Sequence, residues 1–249
     1  MPMRHVKAGT AALLAATALW TLHAAAQAAT FAALRTGIGY DPQRFRLLRE
    51  TSTVNVLDWP VFALAEYRQV AQGDRFEFNI VPPDGSFTWI WHPQSPQNYS
   101  GYFLRHLIPL AGTPNEERTG TWQITVSHRG QQNRIQLNVV AADPSALEAI
   151  RSDQAAKPDD FVANYRLGAA ASMFGHDELA VSSLNRAAQL ARRSPYPHVA
   201  LCRHHLRQAR KDEARQACAT ARGLLLGYED QSLSGWLQSE IAKLMQAAE

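Results

Sequence analysis

Up to about residue 142, apolar and polar positions tend to alternate; beyond it, apolar positions recur every three to four residues. The first spacing puts every second side chain on one face of a strand, and the second gathers side chains along one face of a helix. Residues 75–81 alternate most cleanly, with Phe76, Phe78 and Ile80 on one face. Residues 53–57, 63–70, 87–91, 102–110, 122–126 and 134–139 also read as strands, with turns at Pro82-Pro83-Asp84-Gly85 and at 129–132. Six or seven short strands at this spacing predict an antiparallel β-sandwich over residues 29–142.

After residue 142, Ala, Leu, Arg and Gln dominate and β-branched residues become scarce. Asp143-Pro144-Ser145 marks the seam, with Asp143 expected as a helix N-cap and Pro144 as the first helical residue. Residues 143–249 are expected to form helical hairpins, opened by a helix over 145–156 that stops before Lys157-Pro158. A closing helix over 232–245 should turn Trp236, Ile241 and Leu244 inward.

The start of the chain has a different pattern. Arg4 and Lys7 precede an apolar run over residues 8–22, and Ala26-Gln27-Ala28 follows as a small-x-small site. This is the layout of a cleavable export signal over residues 1–28, so cleavage is expected after Ala28 and the mature chain in the periplasm, with secretion beyond it left open. The run is shorter than the roughly 20 residues that span a bilayer, and no stable membrane insertion is expected after cleavage. Losing Arg4 and Lys7, with no acid among these residues, lowers the formal net charge from +3 to +1. That balance gives no reason to expect nucleic acid or an anionic membrane as a partner.

Two resemblances add to this reading. Gly120-Thr121-Trp122-Gln123-Ile124-Thr125-Val126, followed by a loop and an alternating strand, resembles the last two strands of bacterial immunoglobulin-like domains. Gly73-Asp74 ahead of an alternating strand is similar, although the Cys…Trp…Cys spacing of antibody domains is absent. In the helical half, Leu167-Gly168, Ala180 and Ala187 recur 34 residues later as Leu201-Cys202, Ala214 and Ala221. This period resembles the tetratricopeptide repeat, in which small residues let paired helices approach. Gly168 should therefore face Ala180 and Ala187. The resemblance covers about residues 159–223 and departs from the pattern at Asn164 and His198, where an aromatic is usual.

The repeat resemblance implies a groove lined by first helices. Carried onto this sequence, its groove positions include Tyr165, Met173, Tyr196, Arg203, Leu206 and Arg207. Arg203 and Arg207 lie one helical turn apart and together could grip the carboxylate of a bound segment. The resemblance also places Cys202 and Cys218 on paired helices. In an oxidising compartment a disulfide is expected, the alternative being two buried thiols.

No local catalytic motif occurs, and the acid pairs Glu116-Glu117, Asp159-Asp160, Asp177-Glu178, Asp212-Glu213 and Glu229-Asp230 read as solvated turns or first-turn acids facing a helix dipole. Adjacent His204 and His205 diverge by about 100° on a helix and make a poor chelate, so no metal or other cofactor is expected. Phe87, Trp89 and Trp91 share one strand face, either as core or as an aromatic platform for a sugar or peptide. The combined reading is an exported, non-enzymatic interaction or scaffold protein whose partners are other envelope or secreted proteins. The alternatives are a carbohydrate- or envelope-polymer-binding protein using the aromatic platform, and an enzyme whose site assembles from scattered His and acids.

Overall fold

The computed structural model describes residues 29–226 and 231–249. The expected export signal and the pair Glu229-Asp230 lie outside them. The described residues form two sheets followed by six helices. In chain order the strands are β1 (Thr30–Asp41), β2 (Arg46–Glu50), β3 (Thr53–Asn55), β4 (Val61–Val70), β5 (Phe76–Val81), β6 (Trp89–Trp91), β7 (Tyr99–Ile108), β8 (Gly120–His128) and β9 (Gln131–Val140). One sheet runs β2-β1-β4-β7 and the other β3-β9-β8-β5-β6.

The alternation read from the sequence sets which sides of these sheets meet. Phe76, Phe78 and Ile80 are buried on one face of β5. Tyr67 of β4 packs on Phe76 at 4.7 Å between ring centroids, and His106 of β7 stacks on Phe78 at 5.6 Å. The β8–β9 hairpin closes at Arg129-Gly130, both at positive φ (48° and 81°), the two-residue turn that matches the twist of paired strands.

Two expectations need correction. β1 and β2 were not anticipated, because a register shift between Phe31 and Ala33 and glycines at 37 and 39 break the alternation of β1. A side chain at Gly37 would meet the Arg49 carbonyl oxygen, so the β1–β2 pair closes only over a glycine. The second sheet is also not wholly antiparallel. The chain leaves β2 through Thr51-Ser52, changes sheets, and pairs β3 parallel to β9.

The helices are α1 (Ala146–Ala156), α2 (Phe161–Met173), α3 (Asp177–Leu190), α4 (Tyr196–Arg207), α5 (Lys211–Leu225) and α6 (Gln231–Ala247). α1 starts at Ala146 rather than Pro144. Asp143 is spent on a turn, its Oδ1 accepting from the Ser145 amide at 2.8 Å. Asp160 caps α2 by accepting from the Ala163 amide at 2.7 Å. α2 and α3 form one hairpin and α4 and α5 another. A Cβ on Gly168 would lie 2.5 Å from Leu184 Cγ, a residue flanked one turn either side by the expected Ala180 and Ala187.

The turns of the two hairpins match. Gly175 and Ala209 both take positive φ (79° and 55°). The His176 amide donates to the Ala171 carbonyl at 2.8 Å, and the Arg210 amide donates to the His205 carbonyl at 2.9 Å. Each is a left-handed helix stop in which the residue beyond the turn reaches back to an orphan carbonyl. Every one of these positions is displaced by the 34 residues seen in the sequence. Cys202 of α4 and Cys218 of α5 are fully buried and joined as a disulfide. Among the described residues, no helix is long and apolar enough to cross a membrane.

Candidate functional site

The face of α2 and α4 assigned to a partner's groove is covered by the chain's own β part. Trp59 sits between Tyr165 and Tyr196, its ring centroid 4.9 Å and 4.7 Å from theirs. The Tyr165 hydroxyl donates to the Ala111 carbonyl at 2.6 Å. Next to it, Gly112 takes φ +68°, and a Cβ there would lie 2.6 Å from the Tyr165 oxygen, so only glycine admits this approach. The segment from Pro109 to Glu117 therefore lies along the helices where an external peptide was expected.

A charge network closes this junction. The Glu116 side chain is 2 % exposed; its Oε2 accepts from the Gly112 amide at 2.9 Å and its Oε1 from Arg203 Nη1 at 2.9 Å. Arg207 Nη2 donates to the same Oε1, and Arg203 also donates to Glu117 at 2.7 Å and to the Thr113 carbonyl. The expected chemistry, two arginines on one helix face gripping a carboxylate, is present. The carboxylate is Glu116 of this chain. Tyr165, Tyr196 and Arg203 are buried, which removes them from any partner surface; Met173 and Leu206 are half-buried and Arg207 reaches the rim. Glu116, read as a solvated turn acid, is instead the centre of the junction, because only the folded chain brings Arg203 and Arg207 to it.

The aromatic triple is also internal. Trp89 is 4 % exposed and packs on Trp122 at 5.7 Å and edge-on against Trp236 of α6 at 5.1 Å. Phe87 lies 6.2 Å from Trp236, and Trp91 lies 5.9 Å from His106. Trp89 belongs to the core and Phe87 and Trp91 are half-buried against it, with Phe87 and Trp89 docking α6, so the three do not form an open platform. Among the described residues, no group of three or more His, Cys, Asp or Glu side chains is placed to hold a metal ion.

The other sides of α4 are also engaged. His204 is fully buried; its Nδ1 lies 3.0 Å from Ser172 Oγ and its Nε2 lies 2.6 Å from Asp177 Oδ1, which also accepts from Arg210. These are the residue types of a nucleophilic triad with their exposure reversed. The hydroxyl is buried and the carboxylate faces solvent, so no nucleophile is presented. The hydrogen bond from His204, aided by Arg210, holds the Asp177 carboxyl below its ordinary range.

Burial holds His198 and His205 below the ordinary imidazole value of 6.5, and Arg210 and His204 push His205 further down. Both imidazoles therefore pick up protons more readily in the unfolded chain. Their contribution to stability is complete above about pH 6.5 and declines as pH falls from there towards the lower folded values. The midpoint of urea unfolding is accordingly expected to be lower at pH 5.5 than at pH 7.5. A His198→Gln, His205→Gln double variant should flatten this slope, and equal slopes in variant and wild type would refute the assignment.

An exposed surface that the sequence did not reveal lies on the outer side of the β2-β1-β4-β7 sheet. The Arg105 guanidinium sits over the Tyr40 ring at 4.4 Å and the Phe62 ring at 5.1 Å. Phe45, at φ 51° in the β1–β2 turn, stacks on Phe103 at 5.3 Å and remains 51 % exposed. Glu66 and Arg35 edge this patch. Isolated aromatics in separate segments gave no linear signal; the register of β4 on β7 and the bend at Phe45 assemble them. No protein-family model matches this chain, and no curated protein matches it in sequence.

Proposed function

We propose that this chain is an exported, periplasmic, non-enzymatic interaction or scaffold protein that pairs an immunoglobulin-like β-sandwich with a short tetratricopeptide-like array. The repeat reading is supported by the 34-residue recurrence of the hairpin stop, and the export reading by the N-terminal sequence together with the Cys202–Cys218 pair. Here the array serves as a keel. Its first-helix face holds the β part in one orientation and is consumed in doing so.

The observation that carries the interaction reading is the outer sheet face of Tyr40, Phe45, Phe62, Phe103 and Arg105. Tyr, Phe and Arg on a rigid sheet are the composition that anchors protein interfaces. A glycan is the weaker fit, because sugars stack on open ring faces and Arg105 already roofs Tyr40 and Phe62 while Phe45 roofs Phe103. The proposed partners are other envelope or secreted proteins.

The test pairs two measurements. N-terminal sequencing of the protein from a periplasmic fraction is expected to begin at Ala29. Affinity capture from envelope extracts is expected to lose its specific partners when Phe45→Glu and Arg105→Glu are combined. Both side chains are exposed, so the fold should survive. Identical capture by variant and wild type would sink the assignment of this face.

A further inference from the structure

A second, unrelated feature lies on the far side of α4, in the cleft that α3, α4 and α5 enclose. It has a volume of about 270 Å³. Its apolar floor is Leu201 and Ala217, and its polar walls include His198 and His205 from α4 and Glu213 and Thr220 from α5. His205 is 9 % exposed, and its Nδ1 is a buried ring nitrogen with no hydrogen-bond partner. A buried polar atom of this kind is costly to leave unsatisfied, which makes it an uncommon feature in a finished core.

Asn185 and Gln216 complete the lining with side-chain amides that can both donate and accept. Glu213 is the one charged side chain in the lining. The Thr220 hydroxyl already donates to the Gln216 carbonyl at 3.0 Å, so it can only accept from a ligand. A neutral imidazole leaves one ring nitrogen as an acceptor, and both histidines are held towards the neutral form at neutral pH by burial. The charges facing His205 are Arg210, His204, Glu213 and Asp177, and Arg210 is already paired with Asp177. What remains is a cleft whose one lining charge is the negative Glu213, on an apolar floor, with space for a small aliphatic chain.

We propose that this cleft binds a primary ammonium group on a short alkyl stem, with Glu213 as counter-ion, His205 and Thr220 as acceptors, and Leu201 and Ala217 against the stem. The ammonium could be a free amine or a lysine side chain of a partner protein, and the two are separable. The full mature chain is titrated with butylammonium and with an end-blocked lysine peptide, followed by backbone amide chemical shifts. Butanol serves as the uncharged control. Shifts are expected along the facing sides of α4 and α5 for one or both ammonium probes and not for butanol. Saturation by butylammonium alone assigns a free amine, and tighter binding of the peptide assigns a lysine reader.

Glu213→Gln is expected to weaken binding about tenfold, the effect of removing one charge-assisted contact. Binding should also fall as pH drops from 7.5 to 5, because protonated imidazoles lose their acceptor and repel the cation. Glu213 is exposed on α5, so its substitution leaves the fold intact even if His205→Gln does not. Absence of shifts with both probes, an equal response to butanol, or unchanged affinity in Glu213→Gln overturns the proposal.

Discussion

Glu116→Ala is expected to destabilise the protein by about 3–5 kcal/mol, because it leaves a buried arginine without its counter-charge. The Arg203 side chain is 7 % exposed and would keep only its contacts to Glu117 and the Thr113 carbonyl, while the Gly112 amide would lose its acceptor altogether. For a chain of this size the melting temperature should drop by about 10 °C. Glu117→Ala is the control. Its side chain is 69 % exposed although it touches the same arginines, so it should cost at most about 1 kcal/mol. Thermal melts of the two variants read the difference. If they coincide, Glu116 does not organise the junction. The junction need not be optimal in energy. Glu116→Gln combined with Arg203→Met, which removes the charges together, should recover part of the loss, since paired buried ions often stabilise little more than apolar replacements do.

Breaking the Cys202–Cys218 bridge is expected to cost about 3 kcal/mol, the value for a closed loop near 15 residues when the effect is mainly on the unfolded chain. Cys202→Ala with Cys218→Ala should shift the urea midpoint accordingly and leave the sheet spectrum unchanged. The bridge fixes α4 to α5 at the residue just before Arg203, so its loss should also loosen the junction with the β part. Proteolysis around Asp143-Pro144-Ser145 in the folded state is therefore expected to accelerate in this variant. Alkylation followed by mass measurement decides the oxidation state directly. Modification of both cysteines in native, unreduced protein would show that the bridge is absent.

Different parts of the structure were legible to different degrees. The strand at 75–81 was readable because its alternation is a local property: a half-buried strand needs every second residue apolar. The helix over 145–156 and the two hairpins were readable for a similar reason, since the 34-residue spacing of small residues records where helices must approach. Gly168 shows the limit of that logic. Its role as a contact point was visible, but the nearest atom belongs to Leu184, between the alanines that marked the stripe. β1 was missed because its apolar residues do not alternate around the bulge near Phe31, and its pairing with β2 depends on a glycine facing a carbonyl.

The groove shows most clearly where sequence stops. Arg203 and Arg207 at one helical turn dictate that two guanidinium groups share a face, and two such groups call for a carboxylate. Nothing in that spacing says whose carboxylate it is. Glu116 lies 87 residues before Arg203, counted along the chain, and is brought to it only when the Pro109 to Glu117 segment lies against α2 and α4. The aromatic residues divide in the same way. Phe87, Trp89 and Trp91 had to share a face, but whether that face met water or another element was set by α6 placing Trp236 on it. The outer-sheet patch of half-buried Tyr40, Phe62 and Phe103 with exposed Phe45 and Arg105 draws on four segments that no periodicity connects.

By itself, then, the sequence determined the local periods, the position of the seam near residue 143 and the 34-residue recurrence of small residues, because each depends on spacing along the chain. Only the tertiary structure decided which faces are covered, which acid answers the arginine pair and which aromatics remain in solvent, because burial is a relation between elements distant in the chain.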